Sequence, residues 1–148
     1  MDSLDEAIKS EILSFLDSSP LCVITTNDRG GKYPESALVA FDQYDNFEIV
    51  FETFDDSRKY ANLQSDKHVS LVVGFSPKTQ ITLQYEGIAE EIRPENYEKY
   101  IKHFLAKDTP CSEKFLRDLR VKFFKIKPKW LRYSDYRGKT PRIIENKF

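Results

Sequence analysis

Ser57, Arg58 and Lys59 stand together in the stretch ETFDDSRKYANL, residues 52–63, just beyond an alternating run that ends at Thr53. A hydroxyl followed by two cations suits an anion. Where a helix begins, its free N–H groups and partial positive charge favour the same ligand. Arginine adds a bidentate fork and lysine a mobile point charge, which together fit a phosphate monoester. Thr53 faces the same way as Phe51, so a flat ring lying on the sheet can be edged by Thr53 while its phosphate tail reaches residues 57–59. The plainer reading makes Asp55 or Asp56 a helix N-cap and leaves Arg58 and Lys59 as solvated surface charges. The residues alone leave both readings open.

The elements around this stretch must position it. Residues 3–17 read as an amphipathic helix with Leu4, Ile8, Ile12, Phe15 and Leu16 on one face. Ser3 and Glu6 have the spacing of a capping box, and Ser18, Ser19 and Pro20 end the helix. Strands follow at 21–26, 35–41 and 47–53, separated by the turn signals NDRGGK and DQYDN. In the third, Phe47, Ile49, Phe51 and Thr53 alternate with Glu48, Val50 and Glu52. After the opening stretch and its short helix, HVSLVVGF (68–75) reads as a strand buried on both faces. A long strand covers 79–92, where Gly87 marks a bulge or a close backbone approach. Pro94 opens a helix whose buried stripe is Tyr97, Ile101, Phe104 and Leu105. A short helix is expected over 112–119, and a last strand over 121–133, interrupted by Pro128. The tail has little periodicity and reads as a disordered basic segment. Six largely antiparallel strands with flanking helices argue for a small barrel in a single domain, residues 1–148. So few strands with so much apolar surface point to a second copy covering part of the sheet, a homodimer.

The bulk properties exclude several classes. The 148 residues are 40% hydrophobic and 32% charged, ordinary for a globular chain and unlike a disordered one. The net charge of -1 gives no general attraction for nucleic acid, and the basic stretch 117–142 comes with no helix-turn-helix. Two cysteines, Cys22 and Cys111, make neither a disulfide framework nor a zinc site. No stretch reads as a signal peptide or reaches the ~20 apolar residues of a membrane span, so a cytoplasmic protein is expected. His68 and His103 are the only histidines, and neither has the sequence spacing of a metal site or a catalytic triad. Trp130 either stacks near a flat ligand or packs the barrel end. Tyr85, Tyr97 and Tyr100 belong to core or interface.

The string VFETFDDSRKYANL, followed by DKHVSLVV, resembles the pyridoxamine 5'-phosphate oxidase-like family of flavin-binding split barrels. Upstream, VITTNDRGGKYPESALVAF is similar to that family's first hairpin, and downstream TQITLQYEGIAEEI continues the likeness. It covers roughly residues 4–92 and, more loosely, KPKWLRYSD. The resemblance implies a six-stranded antiparallel split barrel and a homodimer with FMN at the interface. Ser57, Arg58 and Lys59 match the positions that hold the FMN phosphate, and Thr53 a position near the phosphate and ribityl chain. Ser36, Ala37, Leu38 and Val39 lie on the strand that passes the isoalloxazine ring. Gln80 or Gln84 matches a glutamine offered by the partner subunit. Ala37 and Asp42 stand where the oxidase proper carries an Arg and a Lys, and the tail lacks its substrate-binding Arg and His. These departures argue against pyridoxamine phosphate oxidation itself, since Asp42 would repel a substrate phosphate. No side chain is an obvious acid or base, which fits chemistry carried by a cofactor. The readings are an FMN-dependent oxidoreductase on an unknown small molecule, a flavin carrier or sensor, a barrel that binds a deazaflavin or haem, and a structural dimer with an empty site.

Overall fold

The structure is a computed structural model that describes residues 4–74 and 76–148. Helix α1 (Glu6–Asp17) leads into strands β1 (Leu21–Asn27), β2 (Pro34–Gln43) and β3 (Ile49–Phe54), then helix α2 (Arg58–Ser65). Strands β4 (His68–Val73) and β5 (Ile81–Glu91) follow, then a single 3-10 turn (Pro94–Asn96) running into α3 (Tyr97–Ala106). A short α4 (Glu113–Leu116), the long β6 (Val121–Asp135) and β7 (Arg142–Lys147) complete the described chain. Ser3, expected to cap α1, lies outside the described residues; the Asp5 carboxylate caps it, accepting the Ile8 N–H at 3.0 Å. Phe75, at the end of the expected fourth strand, also lies outside them.

All neighbouring strands pair antiparallel in the order β3-β2-β1-β4-β5-β6-β7, and β3 also pairs with β6. Six strands therefore close into a barrel. β6 is long enough to serve two partners along one edge: residues 121–126 meet β3, and residues 130–135 meet β7. The tail expected to be disordered is thus a strand. Its alternation of Arg142, Ile144 and Asn146 with Ile143, Glu145 and Lys147 is weak in hydrophobicity, and the free far edge of β6 supplies the order.

Closure is incomplete at one place. β2 and β3 share only three residue pairs, Phe41–Phe51, Asp42–Val50 and Gln43–Ile49. Before Phe41, β2 pairs with β1 alone, and after Phe51, β3 pairs with β6 alone. The two strands part there, leaving one backbone edge of residues 34–40 without a strand partner among the described residues.

Two cores hold this shape. Phe41, Ile49, Phe51, Leu71, Leu83 and Ile126 fill the barrel, and Ile12, Phe15 and Leu16 of α1 pack against them. The Tyr85 hydroxyl, deep inside, donates to the Phe47 or Ile126 carbonyl at 2.9 and 3.2 Å. The second core lies outside the barrel, where Tyr100, Ile101 and Phe104 of α3 and Leu116 of α4 cover Ala40, Val50 and Phe123. β3 is therefore buried on both faces, although its sequence alternates. β4 shows the converse. Its sequence predicts burial on both faces, but only Val69, Leu71 and Val73 point inward, while His68, Ser70 and Val72 are exposed, because among the described residues no helix covers that side. Gly87 meets both expectations made for it. The β5–β6 register shifts between Glu86 and Gly87, and a Cβ there would lie 2.5 Å from the Ile126 side chain and the Lys127 carbonyl. The strand expected to break at Pro128 runs on through this bulge, pairing Pro128 with Gly87. The bulge reverses the facing of β6, so Phe124 and Ile126 before it and Leu131 and Tyr133 after it all reach the barrel core.

Candidate functional site

Ser57, not Asp55 or Asp56, caps α2: its backbone is extended and its hydroxyl accepts the Tyr60 N–H at 3.1 Å. The Ser57 hydroxyl also lies 2.7 Å from the Thr53 hydroxyl, which ties the end of β3 to the start of the helix. One residue on, the Arg58 guanidinium donates to the Glu35 carboxylate of β2 at 2.5 Å. The Asn62 amide holds that carboxylate from the other side at 2.9 Å and donates to the Thr26 hydroxyl at 3.0 Å. The start of α2 is thereby fixed beneath the unpaired edge of β2. Thr26, Glu35, Ser36, Ala37, Arg58 and Lys59 line a cleft of about 80 Å³. A cationic helix start and an open strand edge meet at it. Such a place can take an anion below and a hydrogen-bonding planar group above.

The residue before Thr53 escaped the sequence reading. Glu52 points to the outer face of β3 and is 6% exposed. Its Oε1 accepts the Cys111 thiol at 3.4 Å, and its Oε2 has no hydrogen-bond partner among the described residues. Burial pushes the carboxyl up to about 8, against the opposing pull of the Cys111 hydrogen bond, its own backbone and the Lys59 charge. Burial likewise holds the Lys59 ammonium below its ordinary value, with Glu52 acting in the other direction. The Cys111 thiol is pushed up to about 12 by burial and by Glu52. A glutamate in a polar-looking strand end gave no sign of this, because α3 and α4, which bury it, are distant in sequence.

The other expected positions fall in different places. Ala37 lines the cleft, and Val39 points into the barrel core. Ser36 and Leu38 face outward. They head two rows that run across the sheet: Ser36, Thr25, Ser70, Glu86 and Trp130 in one, and Leu38, Val23, Val72, Gln84 and Arg132 in the other. Gln84 and Trp130 therefore share the exposed face of the barrel with Leu38 but lie several strands from Ser57 in the same chain. Gln80 is off that face, a turn residue at φ 50° whose amide donates to the Pro77 carbonyl at 3.3 Å.

Both histidines have carboxylate partners. Asp42, expected to face the site, is buried on the outer side of β2, where it bonds His103 of α3. It is buried against α3 and not open to a substrate phosphate. The His103 ring stacks on Tyr44 with centroids 4.3 Å apart. Nearby Lys107 donates to the Gln43 side chain at 2.7 Å and the Leu16 carbonyl at 3.0 Å. Burial lowers this lysine to about 8. His68 has its Nδ1 2.7 Å from Asp66 and sits on a groove of about 320 Å³ with Thr25, Ser70, Gly87 and Lys129. The i, i+2 spacing of Asp66 and His68 was visible in the sequence; the 61-residue separation of Asp42 and His103 was not. Among the described residues no cluster of three or more His, Cys, Asp or Glu side chains is arranged for a metal. No helix is long and apolar enough to cross a membrane, again among the described residues.

An antiparallel six-stranded barrel parted between two strands is a split barrel. The family model described as pyridoxamine 5'-phosphate oxidase matches residues 8–135, and the chain belongs to that family. No curated protein matches the sequence. Solved structures share the fold at low identity. A Clostridium acetobutylicum protein, described as related to general stress protein 26 and of the pyridoxinephosphate oxidase family, has TM-score 0.72 at 16% identity, covering 98% of this chain and 97% of that one. The Vibrio cholerae haem storage protein HutZ gives 0.70 at 16%, covering 81% of this chain and 89% of its own. A haem binding protein from Mycobacterium smegmatis gives 0.78 at 13% identity and 98% of this chain, which spans only 60% of that protein.

Proposed function

We propose that the chain binds FMN in the parted region between β2 and β3 and acts as an oxidoreductase on a small molecule, as a homodimer. The observation that carries this is the meeting of an unpaired strand edge, residues 34–40, with the capped and cationic start of α2. The residues fit the group. The cleft of about 80 Å³ has room for a phosphate but not for a tricyclic ring, which must lie along the open edge. The Ser57 hydroxyl, the α2 N–H groups, Arg58 and Lys59 would hold the phosphate. Arg58 would share or exchange its Glu35 partner, which Asn62 retains. Bound there, FMN supplies hydride and electron transfer; the chain contributes binding, orientation and exclusion of water. The exposed row carrying Leu38, Val72 and Gln84 would then cover the ring of a second copy.

An absorbance spectrum of the purified protein and an FMN titration test this. Flavin bands or quenching of FMN fluorescence are expected. Replacing Arg58 and Lys59 together by Ala is expected to weaken FMN by at least about tenfold, from the loss of two charge-assisted contacts, and to leave riboflavin unaffected. Equal loss for both ligands would remove the phosphate assignment. Steady consumption of NAD(P)H by the flavin-loaded protein would separate an oxidoreductase from a carrier.

A second reading, haem, is favoured by His68. Asp66 engages its Nδ1 and leaves Nε2 available to a metal at the edge of the outer groove. The haem-binding names of two structural neighbours lend it weight. A Soret band on haemin titration that disappears in His68→Ala would favour it over FMN.

A further inference from the structure

Glu52 is a buried carboxyl with an unpartnered oxygen, one residue from Thr53. Its neighbours supply little to stabilise a negative charge. The Cys111 thiol, from the connection between α3 and α4, makes a weak hydrogen bond to Oε1. On β6, Phe123 pairs with Glu52, and the Phe123 N–H is taken by the Tyr97 hydroxyl of α3. Across the barrel wall the thiol of Cys22 is buried and neutral. Lys59, itself partly buried and beside Arg58, is a cation whose field reaches Glu52. Lys59 thus lines the cleft where a ligand phosphate would sit and lies within electrostatic reach of a buried acid, whose strand end is tied to the start of α2 by the Thr53–Ser57 bond.

We propose that Glu52 is the counter-charge that governs Lys59: protonated, it leaves the ammonium to a ligand phosphate, and ionised, it neutralises the ammonium and repels the phosphate. This rests on the phosphate assignment above but concerns a residue that assignment does not use. Binding of the phosphate and retention of the Glu52 proton are then linked. The ligand raises the pH at which Glu52 ionises, and alkaline pH expels the ligand. Glu52 is a positioning residue that acts through Lys59. The switch falls on the alkaline side of neutrality, because burial places the carboxyl's ionisation at about 8.

The test is the pH dependence of FMN affinity in wild type and Glu52→Gln, with riboflavin as the control for titration of the ring. In wild type the FMN Kd is expected to rise at least about fivefold between about pH 7 and pH 9, within the limit of about tenfold per pH unit for one linked proton. In Glu52→Gln it should change by less than about twofold. If Lys59 deprotonation were the cause, the dependence would persist in Glu52→Gln, since the variant removes the carboxylate that favours the charged lysine; that result overturns the proposal. The second measurement needs no flavin. The side-chain carboxyl 13C resonance of Glu52 is followed against pH in the apo protein, with and without inorganic phosphate, and in Lys59→Met. A higher midpoint on adding phosphate and in Lys59→Met supports the linkage even if FMN never binds, in which case the FMN reading fails alone. A midpoint unmoved by both overturns the linkage whatever FMN does.

Discussion

At the scale of single residues, the informative features are those that break local expectations. Glu52 sits where an apolar residue would pack against α3 and α4, and it is held protonated by burial. The consequence for stability has a definite sign. The unfolded carboxyl ionises near 4.5 and the folded one near 8, so between these values the native state keeps a proton that the unfolded state releases. Stability falls as pH rises through this window and levels off above it. Glu52→Gln keeps the shape and removes the titration. It is expected to match wild type near about pH 4 and to exceed it at about pH 9 by an amount on the order of a few kcal/mol, read as the difference in Tm or urea midpoint across pH. An equal pH slope in both proteins would show that the buried carboxyl is not the source. Gly87 is a second such residue. A methyl group there would lie 2.5 Å from Ile126 and the Lys127 carbonyl, and backbone cannot retreat as a side-chain tip can. Gly87→Ala is expected to destabilise by about 1–3 kcal/mol in urea unfolding, the usual range for overpacking. The glycine was legible in the sequence as a bulge or a close approach; the glutamate was not, since its burial depends on helices more than forty residues further along.

At the scale of elements, legibility follows how local the cause is. The start of α2 was readable because Ser57, Arg58 and Lys59 act within one turn, although the cap proved to be Ser57 and not an aspartate. Strand β3 was readable from its alternation, but its double burial was not, because α3 and α4 reach it only through the tertiary fold. For β4 the error ran the other way. A continuous apolar run reads as double burial, yet Val72 is 44% exposed, as no element among the described residues packs over that face. β7 was missed because an edge strand with polar alternation has no strong pattern of its own and is ordered by β6. Gln80 and Gln84 could not be separated by spacing alone; the turn at Gln80 and the exposed ladder position of Gln84 separate them. The element that carries the site is α2, and its cap is testable. Ser57→Ala removes the Tyr60 N–H acceptor and the bond to Thr53. A loss of about 1 kcal/mol is expected in denaturant unfolding, together with weaker FMN binding if the same hydroxyl serves the phosphate. A stability loss with no effect on FMN would confine Ser57 to capping.

At the scale of the whole molecule, the barrel is covered unevenly. α3 and α4 shield the outer side of β3, β6 and the end of β2, while among the described residues no helix covers the outer side of β1, β4 and the start of β2. On that bare side Leu38, Val23 and Val72 stand in one ladder row on three adjacent strands, 65%, 40% and 44% exposed, with Leu21 a further apolar residue on β1. Contiguity matters more than any single value, because scattered apolar side chains are normal and a connected patch marks an interaction surface. The proposed second copy would sit on this row. The row continues into Gln84 and Arg132, so a symmetric contact would bring those polar groups from one chain towards the parted strands of the other. It would also close the open edge of β2, which one chain leaves bare. Wild-type protein is therefore expected to sediment as a dimer at micromolar concentration. Leu38→Asp with Val72→Asp should give a monomer with unchanged far-ultraviolet circular dichroism, since neither side chain belongs to a core. If the interface completes the cofactor site, the same variant should lose FMN affinity although it touches neither Arg58 nor Lys59. A monomer that keeps full FMN affinity would place the whole site within one chain. A wild type that sediments as a monomer would show that a second copy does not cover the bare face.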